Sequence, residues 1–277
     1  MEANITDKHT DAIKFDYSKL DYGVTVVTAP LGEKIYVVEG AHRAMVIDTG
    51  TGIGSLKRCI RKFCALPIIV VNTHGHPDHT GGNAEFDEVY IHPDDYNLYR
   101  EMSTRIARIA DIRNKIDNER LKIYEDNLLE ISENILPLEE GRAFDLGGRK
   151  ITVFGLEGHT EGSVVLYDSL SEWLFAGDAI CQEDTWLHLD HSTSLARYRN
   201  ALSRFIANKP TIKKILSGHE PNVAPPELPN IKLALLNKVI SGELIGEDIL
   251  TFAGQGKRVR YGGTGLVYNE NKIVFDA

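Results

Sequence analysis

Short apolar runs separated by turn residues dominate the chain. In the first half they occupy 24–27, 35–38, 44–47, 68–71 and 89–91. Their β-branched content, with Gly23, Gly40, Gly50 and Pro67 at their flanks, predicts strands. Between two of these runs, GSLKRCIRKFCAL at 54–66 places Leu56, Ile60 and Phe63 along one side, the spacing of a helix. The second half repeats the style. Runs at 151–154, 164–167, 173–175 and 212–216 predict strands, and 195–206 predicts an amphipathic helix. No short-period repeat or low-complexity linker interrupts this order. The pattern predicts two similar β-rich halves carrying helices and packed as one domain over 1–277.

Two segments depart from that rhythm. From about 93 to 138 the sequence is helical and charged, with Ile106, Ile109, Ile112 and Ile116 at three- and four-residue steps, followed by Leu121, Tyr124, Leu128 and Ile131. It predicts two or three helices inserted between strands. Such an insert is either a packed hairpin or a substrate-lining lid, with Tyr96, Tyr99 and Met102 as an apolar wall. Homodimerisation through its apolar stripes is the competing role. An extension over about 228–277 begins with a helix at 233–241 and ends in Gly-rich, hairpin-like sequence whose turn is expected at 269–271. Within it Lys257, Arg258, Arg260 and Tyr261 form a basic cluster, read as a solvated edge strand.

Composition narrows the function classes. A net charge of −9 argues against a large nucleic-acid partner, since such binding rests on neutralising phosphates. The N-terminal residues MEANITDKHTDAIKFDYSKL hold no apolar core of signal-peptide length, and no apolar run is long enough to span a bilayer. The three cysteines, Cys59, Cys64 and Cys181, make no disulfide framework and fit a reducing compartment, so the cytoplasm is the expected location. Cys59 and Cys64 read as small buried hydrophobes.

The candidate chemistry lies in THGHPDHTGG at 73–82, directly after the apolar run 68–71. In extended backbone, residues two apart point the same way, so His74 and His76 can converge on one metal ion. Pro77 ends regular structure there, and Asp78 and His79 turn toward a second ion. Imidazole and carboxylate suit Zn²⁺, Fe or Mn²⁺, and the absence of cysteine removes the simplest structural-zinc reading. Three further candidates, His159 in GHTEGS, Asp178 in FAGDAI and His219 in SGHE, each follow a strand-like run. Each also follows a glycine directly, as expected of tight turns that deliver a ligand.

HGHPDH at 74–79 resembles the HxHxDH motif of the metallo-β-lactamase superfamily, and VIDTG, GHTEGS, FAGDAI and SGHE follow in the expected order from about 24 to 220. The resemblance implies an α/β fold, a four-layer αββα sandwich with a helical insert. It implies two divalent ions per chain, Zn being expected. One takes the residues matching His74, His76 and His159; the other takes Asp78, His79 and His219, with Asp178 bridging. Asp48 has no metal position and is expected to orient a ligand histidine or brace the motif, with Thr73 beside it. A water held between two such cations loses a proton near neutral pH and becomes the nucleophile, with Asp78 orienting it or passing on its proton. No GxSxG elbow is present, and Ser163 and Cys181 read as loop structure.

Within that family, His76 argues against the flavodiiron branch, which carries Glu there. Asp178 stands where the commonest zinc β-lactamases carry cysteine. The full ligand set argues against the mononuclear persulfide dioxygenases. The nearest resemblance is to glyoxalase II-like thioesterases and lactonases, although their helical substrate-binding part is C-terminal. The expectation is hydrolysis of a small thioester, ester or lactone. A small phosphodiester is the alternative, and a metal-binding or ligand-sensing protein without turnover is a third reading. His188, His191 and Tyr261 are candidate substrate contacts. Trp186, expected on the same loop as His188 and His191, is read as packing.

Overall fold

The computed structural model describes residues 13–113, 115–220 and 223–274. The first twelve residues of the N-terminal segment and the last three of the C-terminal one lie outside them.

Among the described residues the strands form three sheets. The first runs in sequence order: β1 (Asp16–Lys19), β2 (Val24–Thr28), β3 (Lys34–Glu39), β4 (Ala44–Ile47), β5 (Ile68–Val71), β6 (Val89–Ile91) and β7 (Leu136–Pro137). It is antiparallel to β4 and parallel after it. The second contains β8 (Ala143–Asp145), β9 (Lys150–Gly155), β10 (Val164–Asp168), β11 (Trp173–Gly177) and β13 (Lys214–Ser217), in the order β13-β11-β10-β9-β8. The third is β12 (Asp184–Leu187), β16 (Thr264–Tyr268), β15 (Gly254–Tyr261) and β14 (Glu247–Thr251).

Period-two alternation explains why the central strands read as unbroken apolar runs. Tyr36, Val38, Met45, Ile47, Ile69 and Val71 face Val153, Val164, Leu166 and Phe175 in one core between the first two sheets. Their alternates Ile35, Val37, Ala44, Val46 and Val70 pack outward on α1 (Leu56–Ile60). On the second sheet, Val165, Leu174 and Ile215 pack outward on α6 (Leu195–Asn208) and α7 (Leu228–Ile240). A strand buried on both faces needs hydrophobes at every position. The layers are therefore helix, sheet, sheet, helix: the four-layer sandwich. Tyr36 donates its hydroxyl to the Ser217 carbonyl at 2.8 Å and links the two sheets directly.

The helices after β6 are α3 (Tyr96–Met102), α4 (Arg105–Arg113) and α5 (Asn118–Asp126). Ile112, Leu121, Tyr124 and Leu128 close a small core of their own around Ile53. The helical pattern expected through Ile131 stops at Asp126, because Leu128 pairs as an isolated β-bridge with Ile53. The C-terminal turn also differs from expectation. Residues 269–271 do not make it; β15 and β16 pair across Gly262 and Gly263, both at positive φ, and a 3-10 turn follows at Glu270–Lys272. Nor is β15 an edge: β14 and β16 flank it, so the basic cluster sits on an interior strand. No described helix is long and apolar enough to cross a membrane.

Candidate metal centre

The ligand-type residues converge where strand ends meet loops. His74 and His76 follow β5, and Pro77, rather than ending regular structure, opens the short helix α2 (Pro77–Thr80) at its first position. That turn of helix swings Asp78 and His79 away from His76. Asn72 holds it from below by donating to the His79 carbonyl at 2.8 Å, and Asn83 donates to Asn72 at 2.8 Å. His159 follows β9, Asp178 follows β11 and His219 follows β13.

Three groups of donor atoms lie within 4.8 Å of one another: His74, His76 and His159; His74, His79 and Asp178; and Asp78, His79 and His219. His76 Nδ1 stands 2.9 Å from both His74 Nε2 and His159 Nε2. His79 Nε2 is 3.2 Å from His219 Nε2, and His219 Nε2 is 3.4 Å from Asp78. Asp178 reaches across both sets, 3.7 Å from His159, 3.6 Å from His79 and 3.3 Å from His219.

Outer partners fix which nitrogen is bare on three of the rings. His159 Nδ1 sits 2.7 Å from the Trp186 carbonyl, which only accepts, so Nδ1 carries the proton and Nε2 presents its lone pair inward. His79 Nδ1 donates likewise to Asp48 at 2.8 Å. Thr73 spends its hydroxyl proton on Asp48, leaving its oxygen to accept from His74 Nδ1 at 3.1 Å. Asp48 thus contacts the His79 ring directly and the His74 ring through Thr73, and also accepts the Thr73 amide at 2.7 Å.

The electrostatics fit a cation. Desolvation and the neighbouring rings push His74 well below the ordinary histidine value, so it is a neutral donor. Desolvation pulls His219 down, but Asp178 and Asp78 outweigh it and hold its proton up to about 9. Asp178 stays ionised: burial raises it, but His219 and His79 pull it well below the carboxylate range. Its buried Oδ1 has no hydrogen-bond partner. Two carboxylates that demand positive charge, amid rings with bare nitrogens, form a donor set suited to divalent ions.

The ligand-preceding glycines serve close approach more than turning. A Cβ on Gly218 would lie 2.6 Å from the His79 ring and 2.7 Å from Asp178. Only Gly177 of the three has positive φ, and a Cβ there would also meet Thr73 at 2.3 Å.

A cavity of about 420 Å³ opens over this cluster, with His76, Asp78, His159, Asp178 and His219 in its lining. His191 lines it too, with Nε2 2.5 Å from His76 Nε2. His188 is not among the lining residues; it is buried and pairs with Thr251 at 2.9 Å, tying the residue after β12 to the end of β14. Tyr261 is also absent from the lining and stacks under Lys238 instead. Trp186 lies on strand β12, not a loop, and does line the cavity. Of the insert's three expected wall residues Met102 lines it, whereas Tyr99 is buried and donates to the Ser132 carbonyl.

Sequence reading missed Asp95. Buried at the start of α3, it accepts the Gly75 amide at 2.7 Å, the Gly162 amide at 2.8 Å and the Thr160 hydroxyl at 2.7 Å. It therefore locks the loop carrying His74 and His76 to the loop carrying His159. It missed the lining residues Glu33, Asp111 and Lys115 as well. None of the four sits in a motif; only the fold brings them in.

Comparison with known proteins agrees with this geometry. The chain is 28% identical over 204 residues to the acyl-coenzyme A thioesterase MBLAC2 of Homo sapiens, covering 67% of this chain and 72% of that one. It is 27% identical over 137 residues to a hydroxyacylglutathione hydrolase of a Synechococcus strain, covering 50% and 44%. A solved metallo-beta-lactamase from Pontibacter korlensis superposes with a TM-score of 0.59 at 20% identity, covering 81% of this chain and 99% of the other, and so shares the fold. The profile of the metallo-beta-lactamase superfamily matches residues 29–219, the span that holds every candidate ligand. The chain belongs to the metallo-β-lactamase superfamily and is a metal-dependent hydrolase.

Proposed function

We propose that the protein hydrolyses a small thioester at a centre of two divalent metal ions. The observation that carries this reading is the position of Asp178, whose carboxylate lies within 3.7 Å of a nitrogen from each histidine set. His74, His76 and His159 would hold one ion, and Asp78, His79 and His219 the other, with Asp178 shared. Zn²⁺ suits the donors; Fe and Mn²⁺ also fit. When bound, such ions supply Lewis acidity, which makes water a nucleophile at neutral pH and polarises a carbonyl.

The protein's own groups do the rest. Asp48, Thr73 and the Trp186 carbonyl hold three rings in the tautomer that points Nε2 inward. Asp78 is kept ionised, burial being outweighed by His79, His219 and Lys115, and it faces the cavity. It is placed to accept the proton released by the attacking water and to pass it to the departing group. A thiolate leaves readily because a thiol's pKa is about 8.5, so no strong proton donor is required. An alkoxide needs one. No thiol nucleophile competes, since burial holds the Cys181 proton well above the usual range. The names of the thioesterase and hydroxyacylglutathione hydrolase relatives support the same bond.

Initial rates on thioesters, lactones, aryl phosphodiesters and β-lactams test the reading with one metal-loaded preparation. The thioester is expected to exceed the β-lactam by a hundredfold or more in kcat/KM. A phosphodiester or β-lactam rate above every thioester and lactone would overturn it.

A further inference from the structure

One side of the metal cavity is an apolar wall assembled from distant parts of the chain. Trp186 on β12, Leu189, Met102 of α3, Leu31 and Phe252 all line it. Phe252 sits at the turn between β14 and β15. Its ring packs on Trp186 with centroids 5.0 Å apart, and Lys115 Nζ stands 4.7 Å from its centroid. The turn from the third sheet thus meets the connection between α4 and α5 of the helical insert. Phe252 is 61% exposed. It contributes little to any core, and an aromatic ring left open to water beside a cavity calls for an apolar ligand.

The remaining lining selects against charge. It includes Glu33, Asp111, Glu183, Asp184 and Glu220, and among the described lining residues Lys115 is the only lysine or arginine. That lysine is already paired with Asp111 at 2.9 Å. A carboxylated acyl group would find no unpaired lysine or arginine among these lining residues, and a short hydroxylated one would leave the wall uncovered.

We propose that this wall seats the acyl chain of the substrate, so that the preferred thioester carries an apolar, unsubstituted alkyl chain and Phe252 with Trp186 determines how long a chain is favoured. The proposal rests on the thioester reading above and adds the identity of the acyl side. Burying a methylene contributes about 0.8 kcal/mol, or about fourfold per added carbon until the wall is covered.

The test uses N-acetylcysteamine thioesters with saturated acyl chains of increasing length, alongside the lactoyl thioester. kcat/KM is expected to climb about fourfold per methylene over the first several carbons, with lactoyl below propionyl. Phe252→Ser should lower the ratio of the longest to the shortest substrate by tenfold or more, with metal content unchanged. Rates independent of chain length, lactoyl preferred over propionyl, or an unaltered ratio in Phe252→Ser would overturn the proposal while leaving thioester hydrolysis intact. If no thioester is cleaved, calorimetric titration with uncharged 2-alkanones decides the matter separately. Affinity rising with chain length and lost in Phe252→Ser keeps the wall and dismisses the thioester. Affinity without that dependence overturns both.

Discussion

Asp48 adopts φ of +63°, a left-handed conformation that non-glycine residues rarely hold. The strain has a use, because from that position one carboxylate accepts from the Thr73 amide, the Thr73 hydroxyl and His79 Nδ1. Replacing it with alanine removes the acceptor that fixes the His79 tautomer. Asp48→Ala is therefore expected to lose metal affinity by about 10–100-fold, measured by chelator competition, with the circular dichroism of the fold retained. Affinity equal to the wild type would show that Asp48 is a structural turn residue only. At this scale the candidate ligands were legible, because each follows a strand and sits in a short motif. Asp95 was not, because its three donors come from loops 20 to 67 residues away and leave no local spacing to detect.

Strands buried on both faces were legible as apolar runs, and so was α6 as an amphipathic segment; α7 was expected at 233–241 but begins earlier, at Leu228, with Pro229 in its first turn. The strands that sequence missed have no such signature. Lys14–Asp16 is a surface ion pair, and DYSK of β1 is exposed throughout, so only backbone pairing with β2 makes it a strand. EDILT of β14 and DTWL of β12 mix polar and apolar residues over five and four positions, and β12 pairs in parallel with β16, Asp184 opposite Gly265. No local pattern announces a partner that distant. The third sheet rests on α7 through Lys232, whose buried ammonium donates to the carbonyls of Gly265 at 2.7 Å and Glu183 at 3.3 Å. Burial pulls its pKa from 10.5 to about 8, against the opposing pull of Cys181 and Glu220. Between those two values the unfolded chain binds the proton that the native state has released, so stability rises with pH across that window. The rise is bounded at about 3 kcal/mol. Urea unfolding at pH 7.5 and pH 10 should show it in the wild type and lose it in Lys232→Met; equal pH dependence in both proteins would refute the linkage.

Across the whole molecule, the sandwich supplies the candidate ligands from loops at the ends of β5, β9, β11 and β13, while the insert and the third sheet contribute to the cavity walls. Removing the insert wholesale would confuse these roles. Arg108 of α4 is buried and donates to the carbonyls of Thr51, Gly81 and Leu129, bracing the segment just after α2. Point changes at the lining separate wall from frame more cleanly. In the proposed centre two ions would share the Asp178 carboxylate, and metal stoichiometry tests that directly. Elemental analysis of zinc-saturated, desalted protein should give close to two ions per chain for the wild type, and Asp178→Ala should retain markedly less at both positions. A single stoichiometric ion per chain, unchanged in Asp178→Ala, would contradict the two-metal centre.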